Sequence, residues 1–226
     1  PEGCKDANDT LLSDDWQGGT AGILAALDLA EPYPVDGITS PGDYEEELWK
    51  YERDSERGAR ITHWPGFADK CRFSPGQLTV LTGVPGSGKS TWLNSVIIDL
   101  ALAHGWNIGL FSPEYHPPDL HVRDLVENLL GKPMNRKFLQ SQVYRVASRD
   151  EVRMAVAQLS ERLNFILPPE PTIEGILDRA QTLVYRKGIT MLIVDPWTEI
   201  DQSARGSMSM TDWVDLCLKR FRRFGR

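Results

Sequence analysis

The stretch from Gly83 to Ser90 reads Gly-Val-Pro-Gly-Ser-Gly-Lys-Ser and fits the pattern G-x-x-x-x-G-K-[ST] at every fixed position. An apolar run at Leu78–Thr82 precedes it and predicts a buried strand, and helical periodicity from Ser90 to His104 follows it. Glycines between a strand and a helix allow positive φ and close approach of the backbone, so their N–H groups can surround phosphates. The pattern therefore predicts a phosphate-binding loop, and a glycine-rich turn that binds nothing is the alternative.

Within this loop, residue types assign separate roles in binding ATP or another NTP. Lys89 supplies a positive charge for the phosphates, and the hydroxyl of Ser90 is placed to reach Mg²⁺. The predicted nucleotide-binding residues are Gly83, Pro85, Gly86, Ser87, Gly88, Lys89, Ser90 and Thr91.

Two acidic residues follow predicted strands downstream of the loop. The apolar run Asn107–Phe111 leads to Glu114, and the run Ile189–Val194 leads directly to Asp195. A carboxylate at the tip of a strand beside a phosphate site can orient a water for attack on the γ-phosphate. An aspartate in the second position can hold Mg²⁺ together with Ser90. Solvated residues at strand ends remain the alternative for both acids.

Composition limits the classes of partner. The 226 residues carry a formal net charge of −7, so contact with nucleic acid requires a local patch or a channel made by several copies. The cysteines Cys4, Cys71 and Cys217 are odd in number and far apart, which argues against a disulfide framework and favours a reducing, intracellular setting. No apolar run reaches the ~18 residues of a membrane span. The start at Pro1 and the stop within a charged helix predict a piece of a longer chain.

Outside the phosphate loop, two segments have open interpretations. Asp43 to Arg57 has apolar residues at helical spacing and predicts an amphipathic helix, which either folds back on its own core or docks on an adjacent copy of the chain. Gln202 to Met210 is small and polar, and it is either a plain connecting loop or a surface for phosphates.

Four segments together resemble primase-helicases of the Twinkle and DnaB type. Residues 61–76, with Thr-His-Trp-Pro-Gly-Phe and a Pro-Gly turn before Gln-Leu-Thr-Val, look like the start of the RecA-like core of those helicases. Phe-Ser-Pro-Glu at 111–114 is similar to the Phe-Ser-x-Glu of the family, and Asp-Pro-Trp-Thr-Glu at 195–199 resembles its Asp-Pro-Trp-Asn-Glu. Gly-Cys-Lys-Asp-Ala-Asn at 3–8 is similar to the closing segment of a Toprim primase domain.

The resemblance implies an α/β fold: a RecA-like P-loop NTPase core with a central, mainly parallel sheet flanked by helices and preceded by a helical linker. It divides the chain into the tail of an upstream Toprim domain at 1–13, a linker at 14–60, and a helicase core at 61–226 that is truncated at its C-terminus. The sensor, the arginine finger and the second DNA loop of such a motor are expected beyond Arg226.

The same resemblance implies an ATP-dependent replicative DNA helicase that moves 5′ to 3′ on single-stranded DNA as a ring, expected to be hexameric. Glu114 and Lys89 become the catalytic residues, and Ser90 with Asp195 the Mg²⁺ ligands. Arg205, Gly206 and Ser207 would contact DNA in the channel. The expected setting is the cytoplasm of a bacterial or phage-infected cell, with the upstream primase domain as a partner.

Two rival functions use the same loop. A small-molecule kinase would need an arginine-bearing lid, for which the polar stretch 132–149 with Arg136, Arg145 and Arg149 is the candidate. Such a kinase would be a monomer or dimer indifferent to DNA. A ring scaffold ordered by nucleotide would assemble with ATP but hydrolyse it no faster when DNA is present.

Overall fold

The computed structural model describes residues 7–12, 19–30, 36–53, 60–64, 66–67, 70–135 and 145–226. Contacts between Cα atoms divide the chain into two compact units, Pro1–Arg53 and Asp54–Arg226. No helix within the described ranges is both long and apolar enough to cross a membrane.

The first unit is helical in its described parts. Its helices are α1 (Ala7–Leu12), α2 (Gly19–Asp28), a 3-10 turn at Pro41–Tyr44, and α3 (Glu45–Arg53). Three glutamates occupy the first turn of α3, where negative charge is favourable because the helix dipole is positive there. The predicted amphipathic helix is confirmed over this range, and its Leu48 and Trp49 are exposed. Small and apolar residues from Trp16 to Leu29 predict a helix in the region of α2, and positions 16–18 of that prediction lie outside the described residues.

A three-stranded parallel sheet forms the centre of the second unit. Strand β3 (Ile108–Phe111) lies between β4 (Leu163–Phe165) and β5 (Met191–Val194). A small antiparallel pair, β1 (Arg60–Ile61) with β2 (Arg72–Phe73), precedes this sheet in sequence. The helices of this unit are α4 (Lys89–His104), α5 (Asp119–Leu130), α6 (Arg149–Ser160), α7 (Ile173–Lys187) and α8 (Met210–Phe224).

Apolar side chains form two clusters, because the sheet has helices on both faces. Helices α4, α5 and α6 supply one cluster, in which Ile97, Leu100 and Leu125 are almost fully buried against Ile108 and Leu110. Helices α7 and α8 supply the other, with buried residues that include Ile176 and Trp213. A buried parallel sheet between helical layers is the arrangement of α/β folds. The predicted fold class, consistent with a RecA-like core, is confirmed.

Local residue patterns predict several helix boundaries. The pattern Ser-x-x-Glu at 148–151 predicts a capping box, which is confirmed: Ser148 accepts a hydrogen bond from the N–H of Glu151, and the Glu151 carboxylate accepts one from the N–H of Ser148. The helix that it opens is expected to reach Leu163, but α6 ends at Ser160. Thr172 is expected to cap α7 and does so through the N–H of Gly175. Gly105 and Gly188, which are expected to end α4 and α7, do so in the left-handed conformation.

The predicted strand at Leu78–Thr82 is wrong. The turn before it forms, with the N–H of Gln77 donating to the carbonyl of Ser74, but residues 77–84 have no regular structure. Leu78 is 42% exposed and Val80 is 63% exposed, and within the described residues no strand pairs with this segment. Apolar composition indicates a preference for burial, whereas a strand also requires a neighbouring backbone that satisfies its N–H and C=O groups.

The apolar residues Phe165–Leu167 predict a short strand, but the strand begins and ends two residues earlier, at Leu163–Phe165. Its position follows from parallel pairing with β3, in which Ile108 is the partner of Leu163. The N–H of Ile166 still donates to the carbonyl of Leu110, but Leu167 is 58% exposed at the end of this ladder. Pairing with a distant strand therefore set the bounds, which composition alone did not reveal.

Candidate functional site

Parallel pairing of β3 and β5 places two predicted acidic positions at one edge of the sheet. Phe111 and Val194 are partners, and the N–H of Asp195 donates to the carbonyl of Phe111 at 2.9 Å. Asp195 and the turn that contains Glu114 therefore follow the carboxyl ends of two adjacent strands. Ligands of open α/β sheets bind at this edge.

The first residues of α4 reach the same edge. The hydroxyl of Ser90 donates a hydrogen bond of 2.9 Å to Oδ2 of Asp195, and both residues are partly buried. The structure thus brings together the two residues that the sequence predicted as Mg²⁺ ligands. A hydroxyl and a carboxylate are oxygen donors of the kind that Mg²⁺ prefers.

The loop before α4 has the conformation that its glycines predicted. Gly86 has φ 73° and Gly88 has φ 84°, and a Cβ added at either residue would meet nothing within 4 Å. Gly88 is the N-cap of α4, so no side chain caps the first turn of this helix. Uncapped N–H groups and the positive end of the helix dipole attract an anion at this position.

Lys89 lies back over its own loop. Its Nζ atom donates to the carbonyls of Gly83 and Val84, at 3.0 Å each. The ammonium group is therefore held beside the loop that would surround the phosphates. Phosphate oxygens, which carry more negative charge than carbonyls, would compete for the same three donors of this group.

Glu114 lies in a tight turn immediately after β3. The N–H of Tyr115 donates to the carbonyl of Ser112 at 3.2 Å, which makes Glu114 the third residue of a four-residue turn. The side chain of Glu114 is exposed, whereas Ser112 is buried and its hydroxyl has no hydrogen-bond partner among the described residues. This edge of the sheet therefore has an accessible carboxylate and an unsatisfied hydroxyl.

One polar cluster at this edge was missed by sequence reasoning. His121 Nε2 donates to Oδ1 of Asn94 at 2.9 Å, and its ring stacks on that of Tyr115 with centroids 4.1 Å apart and planes 9° from parallel. Burial lowers the pKa of His121, although the carboxylates of Asp124 and Asp195 oppose this effect. No spacing signal could reveal the cluster, because 27 residues separate Asn94 from His121.

The other predicted residues lie further along the chain. Arg205 ends a 3-10 turn at Ser203–Arg205, and Gly206 and Ser207 follow it. The N–H of Ser203 donates to Asp201. This hydrogen bond lowers the pKa of Asp201.

The stretch proposed for a kinase lid is described only in part, because positions 136–144, including Arg136, lie outside the described residues. In the part that is described, Lys132 forms an ion pair with Glu151 of α6.

The residues fit an NTP with Mg²⁺. Across the described ranges, no group of three or more His, Cys, Asp or Glu side chains could hold a metal ion by itself. Mg²⁺ commonly takes one or two protein oxygens and completes its octahedron with phosphates and waters. Ser90 and Asp195 can supply those protein oxygens, and the uncapped start of α4 suits the phosphates.

Fold and site together are consistent with a RecA-like α/β core with a phosphate loop at the edge of its sheet. No protein-family model matches the chain. The chain is similar to the Twinkle homolog protein, chloroplastic/mitochondrial, of Arabidopsis thaliana, with 32% identity over 227 residues. The match covers 98% of this chain and 31% of that protein, so the chain spans about a third of its relative's length. The resemblance to Twinkle-like helicases is thereby confirmed, and the Toprim assignment of residues 1–13 stays a prediction.

Proposed function

We propose that this chain carries the NTP-hydrolysing motor of a replicative DNA helicase that moves 5′ to 3′ on single-stranded DNA as a hexameric ring. The observation that carries the proposal is the 2.9 Å hydrogen bond from Ser90 to Asp195, which joins the start of α4 to the end of β5. The similarity to a Twinkle homolog over 98% of the chain supports the helicase class.

In the proposed site the backbone N–H groups of Gly86 and Gly88 face the phosphates, together with those of the other predicted loop residues from Gly83 to Thr91 except Pro85, which has no N–H. Lys89 exchanges its carbonyl partners for phosphate oxygens. Ser90 and Asp195 would hold Mg²⁺, and the ion would supply positive charge against the charge that develops on the phosphates during transfer. Glu114 orients the attacking water and takes its proton, a role that requires an accessible carboxylate at the edge of the sheet.

For DNA, we propose contacts from Arg205, Gly206 and Ser207. Gly206 has φ 54° and ψ −126°, and its backbone is exposed, so its N–H can reach a phosphate. The guanidinium of Arg205 supplies positive charge to a chain whose net charge is −7. Contacts to phosphates alone suit binding that does not depend on sequence.

The setting and the upstream partner are also proposals. We propose a primase domain upstream of this chain and a location in the cytoplasm of a bacterial or phage-infected cell. The relative is named for chloroplasts and mitochondria, and that name describes the relative.

The decisive experiment measures ATP hydrolysis by the full-length protein, with and without single-stranded DNA, for the wild type and three variants. Glu114→Gln is expected to reduce the DNA-stimulated rate by about 10²-fold or more while nucleotide still binds. Lys89→Ala is expected to weaken nucleotide binding itself. Glu161→Gln, an exposed glutamate at the end of α6, is the matched control and is expected to behave as wild type.

Three outcomes would contradict the proposal in different ways. Hydrolysis that DNA does not change, in a protein that stays monomeric, would exclude a helicase and favour a small phosphoryl acceptor. Assembly with ATP without DNA stimulation would favour the scaffold. An undiminished rate in Glu114→Gln would remove Glu114 from the catalytic site but leave the motor in place.

A DNA-binding titration tests the loop separately. Arg205→Ala is expected to weaken single-stranded DNA binding and to reduce its salt dependence, because one phosphate contact is lost. Arg186→Ala, on the exposed last turn of α7, is the matched control. Equal losses of affinity for single-stranded DNA in the two variants would show that Arg205 acts only through net charge.

A further inference from the structure

We propose that His121 is a positioning residue for NTP hydrolysis, which with Asn94 and Tyr115 fixes the turn of Glu114 against the helix that follows the phosphate loop. The proposal rests on the proposed function, because it concerns the hydrolysis in which Glu114 takes part. In this role His121 acts through Asn94 and Tyr115 and does not itself contact the phosphates or the metal.

The first contact joins His121 to α4. Asn94 lies four residues after Ser90, which is about one helical turn further along the same helix. Asn94 is 4% exposed and His121 is 3% exposed, so water does not compete with the hydrogen bond between them. A shift of the first turns of α4, where nucleotide would bind, therefore acts directly on the imidazole ring.

A second contact joins His121 to the turn of Glu114. Its ring lies flat against Tyr115, while the ring of Phe165 in β4 meets it edge-on at 5.5 Å and 73°. Tyr115 is the residue directly after Glu114, and its N–H closes the turn by donating to Ser112. The stacked ring of Tyr115 therefore anchors the last residue of the turn from which the Glu114 side chain projects.

Polar groups around the cluster hold it in one arrangement. Burial, and next the charge of the Asp124 carboxylate, raise the pKa of Tyr115. Burial lowers the pKa of His121. Burial thus favours the neutral form of both rings, and among the residues that the structure describes Nδ1 of His121 has no hydrogen-bond partner. The cluster transmits position rather than charge.

A separate polar contact between α4 and α5 provides the control. Ser95 and Asn128 share hydrogen bonds of 3.1 and 2.9 Å, and Asn128 also donates to the carbonyl of Thr91. This contact fixes α5 on α4 without touching the Glu114 turn. Asn128→Ala therefore reports what a purely structural loss between these helices does.

The test compares steady-state ATP hydrolysis with single-stranded DNA in the full-length protein, and binding of a fluorescent ATP analogue, for wild type and variants. His121→Phe keeps a ring against Tyr115 but loses the donor to Asn94. It is expected to lower kcat by about 10- to 100-fold, because small misplacement of a catalytic group has such effects. The dissociation constant of the analogue is expected to change by less than about twofold.

Two further single variants, Tyr115→Leu and Asn94→Leu, keep the test decisive if His121→Phe unfolds. Tyr115→Leu removes the stacked ring at a half-buried position and is expected to lower kcat in the same way, with unchanged analogue binding. The double variant Asn94→Leu with His121→Phe is expected to lower kcat no more than either single variant, because both changes remove the same hydrogen bond. Asn128→Ala is expected to lower the melting temperature while kcat stays within about twofold.

Each remaining outcome overturns a defined statement. His121 would be a structural residue only if His121→Phe or Tyr115→Leu lowers kcat no more than Asn128→Ala does at the same loss of stability. A fall in analogue affinity that matches the fall in kcat would assign it to nucleotide binding instead. Absence of DNA-stimulated hydrolysis in the wild type would overturn the proposed function, and the positioning role with it.

Discussion

Ser90 and Asp195 are joined by a hydrogen bond of 2.9 Å although 105 residues separate them in sequence. Ser90 is placed by the glycine-rich loop and the first turn of α4, and Asp195 is placed by the pairing of β5 with β3. Local structure therefore places Ser90, whereas pairing between distant strands places Asp195. The pair joins the start of α4 to the end of β5 at the candidate site.

Ser90→Ala tests this pair. Loss of the hydroxyl is expected to raise the Mg²⁺ concentration needed for half-maximal hydrolysis and to lower the rate by about 10²-fold, since a metal ligand is removed. The measurement is hydrolysis as a function of Mg²⁺ concentration. Ser95→Ala, on the same helix but bonded to Asn128, is the control and should leave the Mg²⁺ dependence unchanged. A wild-type Mg²⁺ profile in Ser90→Ala would contradict the assignment.

Gly88→Ala separates backbone strain from function. Gly88 and Gly131 both have φ in the left-handed region, at 84° and 61°, and both have open space where a Cβ would lie. Alanine at either position is expected to cost about 1–2 kcal/mol of unfolding free energy. Only Gly88→Ala should also weaken nucleotide binding, because it disturbs the loop before α4. Chemical denaturation and analogue binding measure the two effects, and equal binding in both variants would contradict the phosphate-loop assignment.

Gly109→Val is expected to destabilise the core. Gly109 lies in the central strand, and a Cβ there would be 3.1 Å from Cδ1 of Ile189 and 3.3 Å from Cδ1 of Ile166. Overpacking of this kind costs about 1–3 kcal/mol. Denaturant unfolding of the Gly, Ala and Val series gives the measurement. Stability should fall as the side chain grows, and a valine variant as stable as the alanine variant would show that this face of the sheet can relax.

Glu151 predicts a dependence of stability on acid. The hydrogen bond from Lys132, and then those from Ser148, lower the pKa of Glu151 to about 2 from an ordinary value of 4.5. The ionised form is favoured in the folded state, so its contribution is complete above pH 4.5 and is lost as pH falls towards about 2. Thermal unfolding between these limits should depend less on pH in Glu151→Gln than in wild type. Identical profiles would contradict the depressed pKa.

Sequence reasoning succeeded where the physical cause is local. The capping pair Ser148 and Glu151 acts over three or four residues, as do the terminal glycines of the helices. The residue types within such a short span are therefore enough to predict these caps. The glycine loop before α4 is another such case, since positive φ at Gly86 and Gly88 depends on each residue's own side chain. The bounds of β4 and the expected strand at Leu78–Thr82 depend on pairing partners elsewhere in the chain, and both predictions needed correction.

By itself, the sequence determined the glycine-rich loop, the helix that follows it, and the class to which the chain is similar, because these rest on short ordered patterns. The sequence also predicted that Ser90 and Asp195 act together, but only the tertiary structure showed the hydrogen bond between them and decided that His121 lies between Asn94 and Tyr115. The physical reason is that hydrogen bonds and ring contacts act over a few ångströms of space, whatever the separation along the chain. Parallel pairing of β3 and β5 brings those distant residues to one edge of the sheet.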